Sequence, residues 1–222
     1  MIKIIYKQLI LLKALLNKHL NFLVLLFLCF FVSCSTKTSN VYIPNNQLGI
    51  DTYIDSEFNS LNFSSDTELK IANYSNKDFL KKEKRALLKI RCSSIPEKAV
   101  VDSAYLYLYI SKIDNKNSTF NITIENIIED WDVTNVNWIH QPKTDSKTIA
   151  QITVDKNKRN YYKVDVTSFV RALSNNEFNN YGLLFKILPE NGNEGFISFL
   201  SSNTKDFDSR PKLIVYFNQN II

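Results

Sequence analysis

Strict two-residue alternation is the pattern that most constrains this chain. In Tyr105-Leu106-Tyr107-Leu108-Tyr109-Ile110 the aliphatic and tyrosine side chains take turns without a break. A β-strand has period two, so Leu106, Leu108 and Ile110 share one face and the three tyrosines share the other. Shorter runs of the same kind, rich in β-branched and aromatic residues, recur along the chain between clusters of Asn, Ser, Asp and Lys. They predict strands over 52–54, 68–72, 86–91, 100–111, 120–126, 149–154, 162–166, 182–187, 196–201 and 212–217. One helix is predicted, over 167–173, with Asp165 or Thr167 able to cap its first turn and Asn175-Asn176 ending it. Only four glycines are present, so asparagine must take many turn positions, which its tolerance of the left-handed region allows. About ten short strands with one short helix indicate an all-β chain, a single β-sandwich of jelly-roll type. No internal repeat is evident.

The first 33 residues have a different character. Lys3, Lys7, Lys13 and Lys18 precede an unbroken apolar run from Phe22 to Val32, which closes on Ser33-Cys34 and a polar stretch, Ser35 to Asn40. Eleven apolar residues are too few to span a bilayer core of roughly 30 Å but suit the apolar region of a signal peptide. Phe31-Val32-Ser33-Cys34 resembles the bacterial lipobox, with Phe31 where leucine is usual. That resemblance implies cleavage before Cys34, lipidation of its thiol and anchoring of the chain in a membrane. Ser35, not being aspartate, then favours the outer membrane over the inner, in the cell envelope; which face of the membrane carries the protein stays open. The expected organisation is a lipoprotein signal peptide over 1–33, a polar tether over 34–49, a sandwich over 50–217 and a short tail over 218–222. Cys29 leaves with the leader, so Cys92 has no partner within the chain and is expected to be a buried, inert thiol.

Charge and histidine content narrow the function. The formal charge of the whole chain is +5, yet residues 1–33 carry four lysines and no acid, leaving +1 for the remainder. A body so nearly neutral has no electrostatic footprint for nucleic acid. Only His19 and His140 exist, and His19 lies in the leader. A histidine-rich metal site is therefore excluded within one chain, and a histidine-based catalytic triad has only His140 to use.

Several blocks then succeed one another in order. They are Asp51-Thr52-Tyr53, Arg85-Ala86-Leu87-Leu88-Lys89-Ile90, Ile95-Pro96 leading to Ser103-Ala104 and the tyrosine run, and Asp130-Trp131 with Val136-Asn137-Trp138 and Pro142. Val164-Asp165-Val166-Thr167, Asn180-Tyr181-Gly182-Leu183-Leu184-Phe185-Lys186 and Ser209-Arg210-Pro211-Lys212-Leu213-Ile214-Val215-Tyr216 follow. Over about residues 50–217 this succession resembles the DNRLRE family, the disaggregatase-related modules of secreted and surface proteins. The resemblance implies a β-sandwich akin to carbohydrate-binding modules, with acidic polysaccharide such as alginate among the ligands. Two departures stand out. The loop Asn59 to Ser65 has no glycine, and the stretch from Asn73 to Lys84 is an insertion rich in lysine.

Two sets of residues are candidates for holding ligand. If the leucine face of the tyrosine run packs the core, Tyr105, Tyr107 and Tyr109 form an outward ladder on which sugar rings can stack. The alternative is a central strand whose second face another layer covers. Lys81, Lys82 and Lys84, within the basic cluster Lys77–Arg85, suit the acidic groups of a polysaccharide if the segment is an exposed loop. The alternative is a solvated surface. Trp131 and Trp138 are expected to pack a long loop against the sandwich rather than to serve as a sugar platform. The acids of Glu129-Asp130-Trp131-Asp132, with Asp206 and Asp208, are of the type that holds structural calcium, but neither segment is an EF-hand, and solvated acids are the alternative. No other cofactor is implied. No acid stands in a recognisable catalytic motif. The expectation is a polysaccharide-binding protein without catalysis. The rivals are a structural or adhesion component that contacts another envelope protein, and a polysaccharide lyase or hydrolase.

Overall fold

A computed structural model describes residues 36–43, 49–75, 81–92, 95–96, 99–114, 119–188 and 194–219. The leader, Cys34 and Lys77 lie outside the described residues. Eleven strands form one curled antiparallel sheet: β1 Thr36–Tyr42, β2 Gly49–Asp55, β3 Glu68–Ser75, β4 Lys81–Ile90, β5 Val100–Asp114, β6 Thr119–Ile127, β7 Thr144–Asp155, β8 Tyr161–Asp165, β9 Leu183–Ile187, β10 Gly195–Leu200 and β11 Lys212–Gln219. One helix, α1 Thr167–Ser174, and a 3-10 turn over Phe207–Ser209 complete the described secondary structure. The all-β sandwich expected from the alternation is the fold observed.

Strand β5 organises the sheet. It pairs with β11 through its residues Val100 to Tyr107 and with β8 through Tyr105 to Tyr109, so that Tyr107 stands opposite both Lys212 and Lys163. Its last five pair with β10 instead. From β10 the order continues through β3, β4, β9 and β6 to β7, while β2 pairs with β4. Curling the sheet encloses one large core that includes Leu106, Leu108, Phe120, Ile122, Ile124, Phe185, Phe199, Val215 and Phe217, each no more than 2% exposed. Burying one leucine or phenylalanine side chain contributes about 1.5–3 kcal/mol, so this cluster dominates the stability of the fold.

Helix α1 packs on β5 through Phe169 and Val170. Asp165 accepts a hydrogen bond from the Thr167 backbone N–H at 2.9 Å, although the backbone places Val166 at the cap position. Asn175 closes the helix, and Asn176, at φ 57°, takes the left-handed conformation that asparagine tolerates. Arg171 on the outer side donates to the Val101 and Asp102 carbonyls at 2.8 Å each, tying the helix to the start of β5.

Two segments differ from the sequence expectation. Thr36–Tyr42, placed in the polar tether, is strand β1 beside β11, and Tyr42 is buried in the main core. An edge strand of mixed polar residues has no alternation to betray it, and here one buried tyrosine holds it. The lysine-rich stretch from residue 81 onward was expected in a loop; it is the first part of β4, paired with β3 through Ala72–Lys84, Asn73–Glu83, Tyr74–Lys82 and Ser75–Lys81.

Candidate carbohydrate-binding face

The tyrosine ladder is built by β5 and extended by its neighbours. Leu106 and Leu108 are 1% exposed in the core, so the alternate residues must point outward. Tyr105, Tyr107 and Tyr109 are half-buried and no further layer lies over them among the described residues. Cross-strand pairing brings Tyr161, Lys163 and Asp165 of β8 onto the same face from one side, and Lys212 and Ile214 of β11 from the other. Tyr161 is 40% exposed, and its ring centre lies 5.5 Å from those of both Tyr107 and Tyr109, tilted by 50° to each. Lys163 Nζ stands 3.7 Å from the centre of the Tyr105 ring, and Lys212 Nζ 5.0 Å from that of Tyr109. Neither lysine has an ion-pair partner among the described residues, so both ammonium groups rest on aromatic rings with their charge available to a ligand.

The second candidate set lies elsewhere along the outward surface. In register, Tyr74 and Lys82 stand side by side, as do Ala72, Lys84 and Asp55. Lys70, two residues before Ala72, shares that face and donates to the Tyr53 hydroxyl at 3.2 Å and to Asp66 at 2.9 Å. Lys82 is paired with Glu57, and Lys84 with the buried Asp55. The side chain of Lys81 lies outside the described residues. Where the sequence suggests a free basic loop, Lys70, Lys82 and Lys84 are held in a strand lattice, each against an acid of the same chain. An acidic ligand there must compete with Asp55, Glu57 and Asp66. On the tyrosine face Lys163 and Lys212 make no ion pair among the described residues, although Asp165 and Asp206 are near enough to feel their charge.

A sequence model of carbohydrate-binding module family 96 matches residues 45–217. The chain belongs to that family. Comparison with the curated proteins finds no match. The family 96 match runs from just before β2 to the end of the core residues of β11, so β1 lies outside it.

Within this family 96 module the tryptophans build a loop and do not form a platform. Trp131 is 9% exposed in a second small core with Ile54, Leu87, Ile127, Val136 and Leu184, and its indole N–H donates to the Tyr181 carbonyl at 2.7 Å. Trp138 packs against that cluster, with the Arg85 guanidinium 4.5 Å from its ring centre. The acids of the same loop serve as turn ligands. Asp132 accepts from the Thr134 backbone and hydroxyl at 2.9 and 2.8 Å and from the Asn135 amide at 2.7 Å, bonds that hold its carboxyl below the usual range. Asp130 pairs with Lys89, and Glu129 accepts from the Lys143 backbone. Asp206 accepts from Ser209 Oγ and the Asp208 N–H, which likewise lowers its pKa. Among the described residues no group of three or more His, Cys, Asp or Glu side chains stands where it could hold a metal ion.

One buried carboxyl behaves differently. Asp51 is 3% exposed, and burial pushes its pKa up to about 6 although Ser202 donates to it through both backbone and hydroxyl. It fastens the loop after β10 to β2 and lies inside the module, away from the tyrosine face.

Alternation alone sets Tyr105, Tyr107 and Tyr109 on one face, but it does not bring Tyr161, Lys163 and Lys212 beside them. Alternation within Tyr161–Asp165 does set Tyr161, Lys163 and Asp165 on one side. Nothing local says that β8 lies next to β5.

Proposed function

We propose that this chain is a lipid-anchored protein of the bacterial cell envelope that holds polysaccharide on the tyrosine face of β5 without chemically altering it. Membership of a carbohydrate-binding module family supplies the ligand class. The observation that carries the site is the open ladder of Tyr105, Tyr107, Tyr109 and Tyr161 with Lys163 and Lys212 resting on it. Tyrosine offers an apolar ring with a polar tip, the combination that a pyranose presents in reverse, and two unpaired lysines favour a polymer bearing acidic groups. The DNRLRE-like succession of blocks supports the same reading. Anchoring rests on the lipobox-like Phe31-Val32-Ser33-Cys34, and Ser35 favours the outer membrane as its destination.

Binding is tested by affinity electrophoresis through gels containing alginate, pectin or a neutral glucan. The expected result is retardation of the wild type by at least one polymer. Replacing Tyr107 and Tyr161 by alanine together should weaken binding by about 10–100-fold, because stacked aromatic residues of this kind each carry about 0.7–1.4 kcal/mol of a binding energy. Free migration of the wild type through every gel, or unchanged retardation of the double variant, refutes the proposed face.

The anchor is tested separately by fractionating cells that express the full chain. Wild-type protein is expected in the membrane fraction with acyl label incorporated, and Cys34→Ser protein is expected without label. Equal labelling of the two excludes Cys34 as the lipidated residue.

A further inference from the structure

A bulge in β5 makes the outward surface longer than the tyrosine ladder. Phe199 pairs with Ile110 and Ser198 with Lys112, so Ser111 is an additional residue on the β5 side of that ladder. Without it, alternation from Tyr109 would turn Ile113 outward and Lys112 inward. With it, Ile113 packs against the core opposite the fully buried Ile197, and Lys112 emerges exposed on the side that carries Tyr105, Tyr107 and Tyr109. Ser111 confirms the side, because its hydroxyl donates to Glu68 of β3, which shares a face with Lys70.

Beyond the bulge the surface has its own aromatic and basic groups. Lys112 Nζ lies 5.9 Å from the centre of the half-buried Phe196 ring. In register, Phe196 stands between Asp114 and the small Ala72, and Ser198 stands between Lys112 and Lys70. Ser198 is fully buried, and its hydroxyl has no hydrogen-bond partner among the described residues. From Tyr105 to Asp114 is nine residue steps along β5, which at about 3.4 Å each gives roughly 30 Å of continuous outward strand. A disaccharide or trisaccharide covers only a fraction of that length.

We infer that Phe196 and Lys112 form a second subsite that continues the tyrosine face, so that the protein takes an extended internal stretch of polysaccharide lying along β5. This rests on the proposed binding face and adds to it where the rest of the chain goes. The phenylalanine ring supplies a stacking surface, and the exposed Lys112 supplies a cation beside it, whereas Lys70 is already paired with Asp66.

Alginate and pectin oligouronides of two to eight residues, measured against the full chain by calorimetry, test the subsite. Affinity is expected to rise about tenfold or more from the trimer to the octamer, that is by about 1.4 kcal/mol or more. Lys112→Glu and Phe196→Ala should each remove most of that gain and leave trimer affinity unchanged. Tyr107→Ala should weaken trimer and octamer alike. Lys112 is exposed, so its variant keeps the test valid if Phe196→Ala unfolds the protein. Equal affinity for trimer and octamer, or an octamer affinity insensitive to Lys112→Glu, overturns the second subsite while polymer retardation leaves the tyrosine face standing. Failure of the wild type to bind either intact polymer or any oligouronide overturns the subsite for this ligand class, and free migration through neutral glucan as well removes the tyrosine face with it.

Discussion

Gly182→Ala is expected to destabilise the protein by on the order of 3–5 kcal/mol. Gly182 precedes β9 at φ 98°, a conformation that side-chain-bearing residues rarely adopt. A Cβ there would lie 2.6 Å from the Leu88 carbonyl oxygen and 3.0 Å from both Lys89 Cα and Lys89 Cβ. Most of these are backbone or near-backbone atoms of β4, which pairs with β9 through Leu88–Leu183, so the clash cannot be relieved by rotating a distant side-chain tip. Strained backbone of this kind contributes about 1–3 kcal/mol and overpacking a similar amount. Neighbouring residues make relaxation harder still. The Gly182 carbonyl accepts from the Ile127 N–H at 3.0 Å, Tyr181 accepts from Trp131, and the Asn180 amide donates to the Ile90 carbonyl at 2.8 Å. Domains are typically stable by about 5–15 kcal/mol, so the variant should lose a large share of its stability. Urea unfolding followed by tryptophan fluorescence measures the loss; a shift under about 1 kcal/mol would contradict the account.

Cys92 is expected to react with thiol reagents about three orders of magnitude more slowly in the folded protein than in urea. Burial pushes its pKa up to about 12, and its thiol donates weakly to the Ile90 carbonyl at 3.5 Å. At pH 8 an ordinary thiol with a pKa of about 8.5 is partly ionised, whereas one near 12 has roughly 10⁻⁴ of its molecules as thiolate, the reactive form. The surroundings are apolar. Cys92 lines a small cavity of about 20 Å³ with Leu88, Ile90, Leu106, Phe169 and Leu213, and no cation is among the residues that line it. With Cys29 and Cys34 replaced by serine, Cys92 is the only thiol, and the rate of modification reports on it alone. Reaction within tenfold of the unfolded rate would show that the thiol is open to solvent as thiolate. The sequence expectation of a buried, inert cysteine thus acquires a measurable form.

The strands were legible where burial on one side imposes alternation. Leu106 and Leu108 against Tyr105, Tyr107 and Tyr109 is the clearest instance, whereas β6, β9 and β10 are buried along most of their length on both faces and read as apolar runs bounded by polar turns. β1 was not legible, because its polar residues carry no periodic signal and its place depends on β11, some 170 residues away in the chain. The lysines of β4 were misplaced in a loop for a related reason. Lys82 and Lys84 look solvated until Glu57 and Asp55 are brought beside them. The helix was found almost to its ends, since its signals are local: apolar spacing within one short segment, Asp165 before it and asparagine after it.

The amino-acid sequence alone determined that the tyrosines of β5 share one face, because backbone stereochemistry forces successive side chains to opposite sides of any strand. It also determined that the body of the chain is close to neutral. Tertiary structure decided what surrounds the tyrosines. Tyr161, Lys163 and Lys212 join them only through pairings across tens to a hundred residues, such as Tyr107 with Lys212. The bulge at Ser111, which turns Lys112 outward and Ile113 inward, is likewise set by the partner strand. Such pairings depend on the free energy of closing one shared core, a property of the whole chain that no short window of residues contains.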